Sequence, residues 1–134
     1  MSEVRKKKIL VVDDEQSVVA YLTALLQDNG YETVSAADGK LGYEMAQREK
    51  PDLITLDISM PEESGVRCYR NLKSDPDFAS VPVAIVTAVT GYGGKPEEFE
   101  RFISTRKQVP PPDAFISKPI DQGEFLAAIA KLLS

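Results

Sequence analysis

Several residues able to do chemistry stand directly after apolar runs in this sequence: Asp13-Asp14 after KILVV, Asp57 after the run ending ITL, Thr87 near the end of PVAIVTA, and Lys118 just beyond AFI. A single acid after a strand is unremarkable, because Asp is a common helix N-cap. Three acids converging from two strands are harder to dismiss. Two carboxylates about 4 Å apart at an effective dielectric of 20 repel by roughly 4 kcal/mol. A folded domain tolerates that only where something cationic resides. Lys118 supplies one positive charge, and a divalent ion would supply more.

The ligands decide which ion. The chain has no histidine, and its one cysteine, Cys68, is not near the acids in sequence. Hard oxygens alone suit Mg²⁺ or Mn²⁺ and argue against Zn²⁺. Mg²⁺ held incompletely by protein typically also binds phosphate, and a hydroxyl (Thr87) and an ammonium (Lys118) are groups that hold phosphoryl oxygens. One Asp would then be a nucleophile forming an aspartyl-phosphate. Spacing alone does not choose it. Asp57 opens DISMPEESG, where Pro61 and Gly65 are expected to set a loop before the next helix, leaving its carboxylate to project unencumbered.

The elements that must position these residues alternate along the chain. KILVV (8–12) is a β-branched run of the kind found in strands buried on both faces. Val18, Val19, Leu22, Leu25 and Leu26 recur at helical spacing over 16–29, and Gly30 supplies the stop. A strand over 32–36 is followed by the turn pair Asp38-Gly39, a helix over 41–49 ended by Pro51, and a strand over 52–56. A helix over 66–73, strands over 82–88 and 114–116, and a final helix capped by Asp121 with Glu124 complete the pattern. Five β-α units in a chain this short predict an α/β, doubly wound open sheet of parallel strands. In such sheets ligands bind at the carboxyl ends of the strands, so the five polar residues should share one rim.

Composition narrows the function classes. The chain has 134 residues, suiting one domain, with residues 1–7 as a basic lead-in to the first strand. The net charge of −5 disfavours direct nucleic-acid or membrane-surface binding. No apolar run reaches the roughly 18 residues of a membrane span. With no signal peptide either, the expected location is the cytoplasm. The lack of histidine excludes any His-based triad or metal site. Cys68 is read as inert helix packing and Met60 as a loop anchor.

On these residues the sequence resembles the receiver domain of two-component response regulators, the CheY-like family, over residues 7–134. The pattern is an acidic pair after the first strand (Asp13-Asp14), Asp-x-x-Met-Pro-x-x-x-Gly (Asp57 to Gly65), Thr-Ala ending the fourth strand (Thr87-Ala88), and Lys-Pro after the fifth (Lys118-Pro119). The resemblance implies a (βα)5 flavodoxin-like fold with a five-stranded parallel sheet in the order 2-1-3-4-5, and it implies that Asp57 accepts a phosphoryl group from a sensor histidine kinase or phosphotransfer protein. It implies that Asp14, Asp57 and the backbone carbonyl of Ser59 ligate Mg²⁺, with Asp13 acting mainly through water. Thr87 and Lys118 would bind the phosphoryl oxygens, and Lys118-Pro119 would be cis. Such a domain is a switch rather than an enzyme, catalysing at most its own phosphorylation and dephosphorylation. In the switch, Thr87 moves onto the phosphoryl group and the aromatic three residues before the lysine, here Phe115, rotates inward past Ala88. Ser59 and Val89 flank the site, at positions that tune phosphoryl lifetime.

The chain departs from the family between Thr87 and Lys118, where it is several residues longer. The excess falls in an enlarged region, 90–113, with Gly91, Gly93, Gly94 and the run Pro110-Pro111-Pro112. Receivers commonly meet output partners or dimerise through this region and the final helix. Loops tolerate insertions cheaply, so a neutral insertion stands beside a reshaped output face. Two other phosphate chemistries fit less well. A haloacid-dehalogenase-type phosphatase needs Asp-x-Asp where this chain has Asp57 and Ser59. A flavodoxin needs a phosphate loop where Asp13-Asp14-Glu15 would repel the phosphate. A binding module whose phosphorylation has been lost is a more serious rival, against which stands the presence of all five site residues.

Overall fold

Leucine, isoleucine and valine dominate the strands, and their burial explains the sheet. The computed structural model describes residues 6–58, 64–88 and 113–134. Five strands, β1 (Lys8–Val12), β2 (Glu32–Ala36), β3 (Leu53–Leu56), β4 (Val83–Ala88) and β5 (Ala114–Lys118), form one parallel sheet in the order β2-β1-β3-β4-β5. This is the expected flavodoxin-like order.

Alternate residues of each strand face opposite layers. Leu10, Val12, Ile54, Leu56 and Ile85 pack with Ala46 of helix α2 (Gly39–Glu49) and Cys68, Tyr69 and Leu72 of helix α3 (Ser64–Ser74). Ile9, Val11, Leu53, Ala84, Val86 and Ile116 pack with Leu22, Leu25 and Leu26 of helix α1 (Gln16–Asp28) and Phe125 and Ile129 of helix α4 (Gln122–Leu133). Two described helices therefore cover each face, which is why the central strands carry almost no polar residue.

Local chemistry sets the helix ends. Gly30, at φ +90°, turns the chain after α1. Asp38 is not half of a turn pair: its side chain accepts from the Leu41 N–H at 2.8 Å and caps α2, which begins two residues earlier than expected. Lys50 closes α2 in the left-handed region at φ 51°, its ammonium 5.6 Å from the centre of the Phe78 ring. Asp121 accepts from the Glu124 N–H at 2.9 Å, the expected cap of the last helix. Gly65 lies inside α3 rather than in a loop before it, because α3 starts at Ser64.

The fifth strand reaches Lys118, two residues past its expected end, because its ladder with β4 continues through Thr87 opposite Ser117 and Ala88 opposite Lys118. The Lys118-Pro119 bond is cis, as the resemblance implied. Ser59, Met60, Val89 and residues 90–112 of the enlarged region lie outside the described residues, as do residues 1–5.

Candidate functional site

Ladder hydrogen bonds running past the strand ends fix the two inner acids. The Asp13 N–H donates to the Ala36 carbonyl at 3.1 Å, and the Asp57 N–H donates to the Val12 carbonyl at 3.0 Å. Both side chains are consequently held at the carboxyl rim of adjacent strands β1 and β3. Each is only 2% exposed, whereas Asp14 is exposed. The burial of Asp57 corrects the expectation of an unencumbered carboxylate: it is enclosed and lies against the Lys118 ammonium. Oxygens of Asp13, Asp14 and Asp57 lie within 4.8 Å of one another.

The ammonium of Lys118 enters this cluster from β5. It stands 3.0 Å from Asp13 Oδ2, 3.3 Å from Glu15 Oε1 and 3.4 Å from Asp57 Oδ2. Burial by itself would lower the Lys118 ammonium, but the hydrogen bond to Asp13 and the charges of Asp57 and Asp13 outweigh it and hold it above its ordinary value. Asp13 moves the other way from a typical paired carboxylate. Desolvation raises it, against the Glu15 N–H donated to Asp13 Oδ1 at 2.9 Å and the hydrogen bond from Lys118. Burial is thus the main cause, with the neighbouring Asp57 charge adding to it.

The donor set therefore fits a hard divalent cation: only carboxylate oxygens, two of them desolvated, and one lysine to balance them. Asp13, Asp14 and Asp57 are the described residues that could hold it, and the implied Ser59 carbonyl lies outside the description. Thr87 sits where the sequence placed it, at the carboxyl end of β4, one ladder position before the pairing of Ala88 with Lys118. Its side chain, like that of Ala88, is not among those described. Phe115 is half-buried in β5 opposite Ile85 and packs against the core layer beneath α2 and α3.

One residue at the site was not singled out from sequence. Glu15 occupies the N-cap position of α1, yet its side chain makes no capping hydrogen bond and instead reaches Lys118. Its place immediately after the acidic pair, at the carboxyl end of β1, was the available signal. Cys68 is confirmed as packing: it is 1% exposed, and burial pushes its thiol up to about 12, away from nucleophilic reactivity.

Comparison with known proteins shows the family. The chain is 37% identical over 125 residues to the response regulator PleD of Caulobacter vibrioides, covering 93% of this chain but only 26% of PleD. It is 32% identical over 127 residues to the protein PilH of Pseudomonas aeruginosa, covering 95% of this chain and 98% of PilH. The chemotaxis protein CheY4 of Vibrio cholerae superposes with a TM-score of 0.79 at 26% identity, covering 96% of this chain and 100% of CheY4. The response regulator receiver domain family matches residues 9–130. Since that match runs from the first strand into the last helix and takes in the whole acidic rim, the chain belongs to the receiver domain family of two-component response regulators.

Proposed function

We propose that this receiver acts as a phosphoacceptor switch in which Asp57 is the phosphorylated residue. The observation that carries this reading is the pair of buried carboxylates, Asp13 and Asp57, sharing the Lys118 ammonium at 3.0 and 3.4 Å on the open rim of the sheet. Of the two, Asp57 has the longer contact with Lys118. The shorter Lys118 contact and the Glu15 N–H both go to Asp13.

An Asp57 carboxylate oxygen attacks the phosphorus of a donor phosphohistidine. The new O–P bond forms as the N–P bond breaks, and the electron pair returns to the imidazole nitrogen. Lys118 stays with the transferred group and balances its charge, while Thr87 supplies a hydroxyl to a phosphoryl oxygen. Asp13, Asp14 and Asp57, with the Ser59 carbonyl, are the residues that would hold Mg²⁺. Its charge, when bound, relieves the repulsion between the carboxylates and the incoming phosphoryl oxygens. Thr87 and Phe115 then carry the change of state to the output face around 90–113 and α4.

The donor is a sensor histidine kinase or phosphotransfer protein. A groove of about 300 Å³ lined by Ser17, Val18, Tyr21, Lys118, Pro119 and Ile120 opens beside the crevice and offers that donor a mostly apolar seat. No helix among the described residues is long and apolar enough to cross a membrane, consistent with action in the cytoplasm. The domain spans the chain as a single unit, with 90–113 as an enlarged partner or dimerisation region. Its catalysis is confined to its own phosphorylation and dephosphorylation. The test is an intact mass spectrum after incubation with acetyl phosphate and Mg²⁺: a gain of one phosphoryl group in the wild type and none in Asp57→Asn supports the reading.

A further inference from the structure

The acid that does not fit the phosphoacceptor set is Glu15. Its backbone does structural work, since the Glu15 carbonyl accepts from the N–H groups of Val18 and Val19 at 3.1 Å each and starts α1. Its side chain does none of the capping that an N-cap residue usually performs. It reaches across to the ammonium of a residue 103 positions away, at 3.3 Å, while remaining 60% exposed. The other two partners of Lys118 are 2% exposed. Lys118 is thus shared between two buried carboxylates on its inner side and one solvated carboxylate on its outer side.

We infer that Glu15 is a positioning residue that sets how much of the Lys118 charge the crevice receives. By drawing the ammonium outward it weakens the competition that Lys118 offers a cation for Asp13 and Asp57. By keeping a negative charge at the mouth it also opposes an anion arriving there. The two ligands should therefore respond to Glu15 in opposite directions. Removing its charge lets Lys118 settle inward, which hinders the cation and helps the anion. A residue that merely supported the fold would change both in the same direction.

This inference rests on the phosphoacceptor reading and is tested beside it. The probes are Mg²⁺ alone, and beryllium fluoride with saturating Mg²⁺, titrated by calorimetry into wild type and Glu15→Gln. Glu15→Gln keeps the size and the N-cap backbone, so circular dichroism should show an unchanged fold. It should bind Mg²⁺ about threefold more weakly and beryllium fluoride about threefold more tightly, the modest size expected of a solvated charge. Both changes should shrink in about 1 M salt, where the screening length is about 3 Å. In a Lys118→Met background the Glu15→Gln effect on Mg²⁺ should fall by at least half. Shifts of the same sign, no shift, or a full effect without Lys118 would overturn the role of Glu15 while leaving the phosphoacceptor reading intact. Failure of the wild type to bind either probe would overturn that reading and this inference with it.

Discussion

Gly65, at the second position of α3, lies so close to Asp57 that a Cβ built on it would overlap the Asp57 carbonyl oxygen and stand 2.7 Å from the Cα of Ile58. The close approach is to backbone, which no side-chain rotation can relieve. The glycine therefore holds the helix start against the peptide that presents Asp57.

Gly65→Ala must push α3 and the Asp57–Ile58 peptide apart. The expected cost is about 1–3 kcal/mol of stability, typical of overpacking. The Asp57 carboxylate would shift relative to Lys118 as well. Urea unfolding checks the first effect, and the initial rate of labelling by acetyl phosphate, expected to fall at least several-fold, checks the second.

Mg²⁺ should raise the unfolding temperature by several degrees when present at about 100 times its dissociation constant, where linkage predicts about 2.7 kcal/mol. The rise should be much smaller in Asp14→Ala, which removes the exposed member of the cluster. It should also fade on acidification earlier than an ordinary aspartate would dictate. Burial raises Asp13, so its proton returns at a pH above the usual value of about 3.9. A raised carboxyl favours the metal-free native state as pH falls through that interval, and the same proton excludes the metal. Differential scanning fluorimetry with and without Mg²⁺ across pH 4 to 7 reads both effects.

The sheet and its rim were legible in the sequence because buried parallel strands are apolar throughout and end where polarity begins. That pattern located Asp13, Asp14, Asp57 and Lys118 before any coordinates. Other features depend on contacts between distant residues and have no local signature. The burial of Asp57 follows from packing across β1 and α3. The extension of β5 to Lys118 follows from its ladder with β4, and the reach of Glu15 spans nearly the whole chain. Asp38-Gly39 was ambiguous for a different reason: the same pair suits a turn or a helix start, and only the Leu41 N–H decides.

Tyr43 and Asp75 make a second testable pair on the face away from α1. The Tyr43 hydroxyl donates to Asp75 Oδ2 at 2.6 Å, which lowers the Asp75 carboxyl and raises the tyrosine. A lowered carboxyl contributes stability that is present above its unfolded value, about 3.9, and is lost as pH falls through the folded value. Tyr43→Phe should therefore be less stable than wild type at neutral pH, with the gap closing below about pH 4. Thermal melts of the two proteins from pH 2.5 to 7 check this, and an NMR titration should show the Asp75 carboxyl returning towards its usual value in the variant.

Lys73 ties α3 to the start of the β4–β5 ladder. Its ammonium, on a side chain only 5% exposed, donates to the Val81 carbonyl at 2.9 Å and the Ala79 carbonyl at 3.4 Å. It also lies 3.5 Å from Asp113 Oδ2, which itself accepts from the Val83 N–H at 2.8 Å. Lys73→Ala leaves these acceptors unpartnered by the lysine. A loss of about 1–3 kcal/mol is expected, discounted for the exposure of Asp113. The urea midpoint should fall with the slope unchanged, and Mg²⁺ affinity at the opposite rim should be unaffected.

Phosphorylation at Asp57, and at no other acid of the crevice, is the step on which the proposed switch depends. Borohydride reduces an aspartyl-phosphate to homoserine, so treatment after acetyl phosphate and Mg²⁺, followed by peptide mapping, reads the position directly. Homoserine is expected at residue 57 alone. Homoserine at residue 13 or 14, or at none of the three in a protein shown to carry phosphate by intact mass, would contradict it.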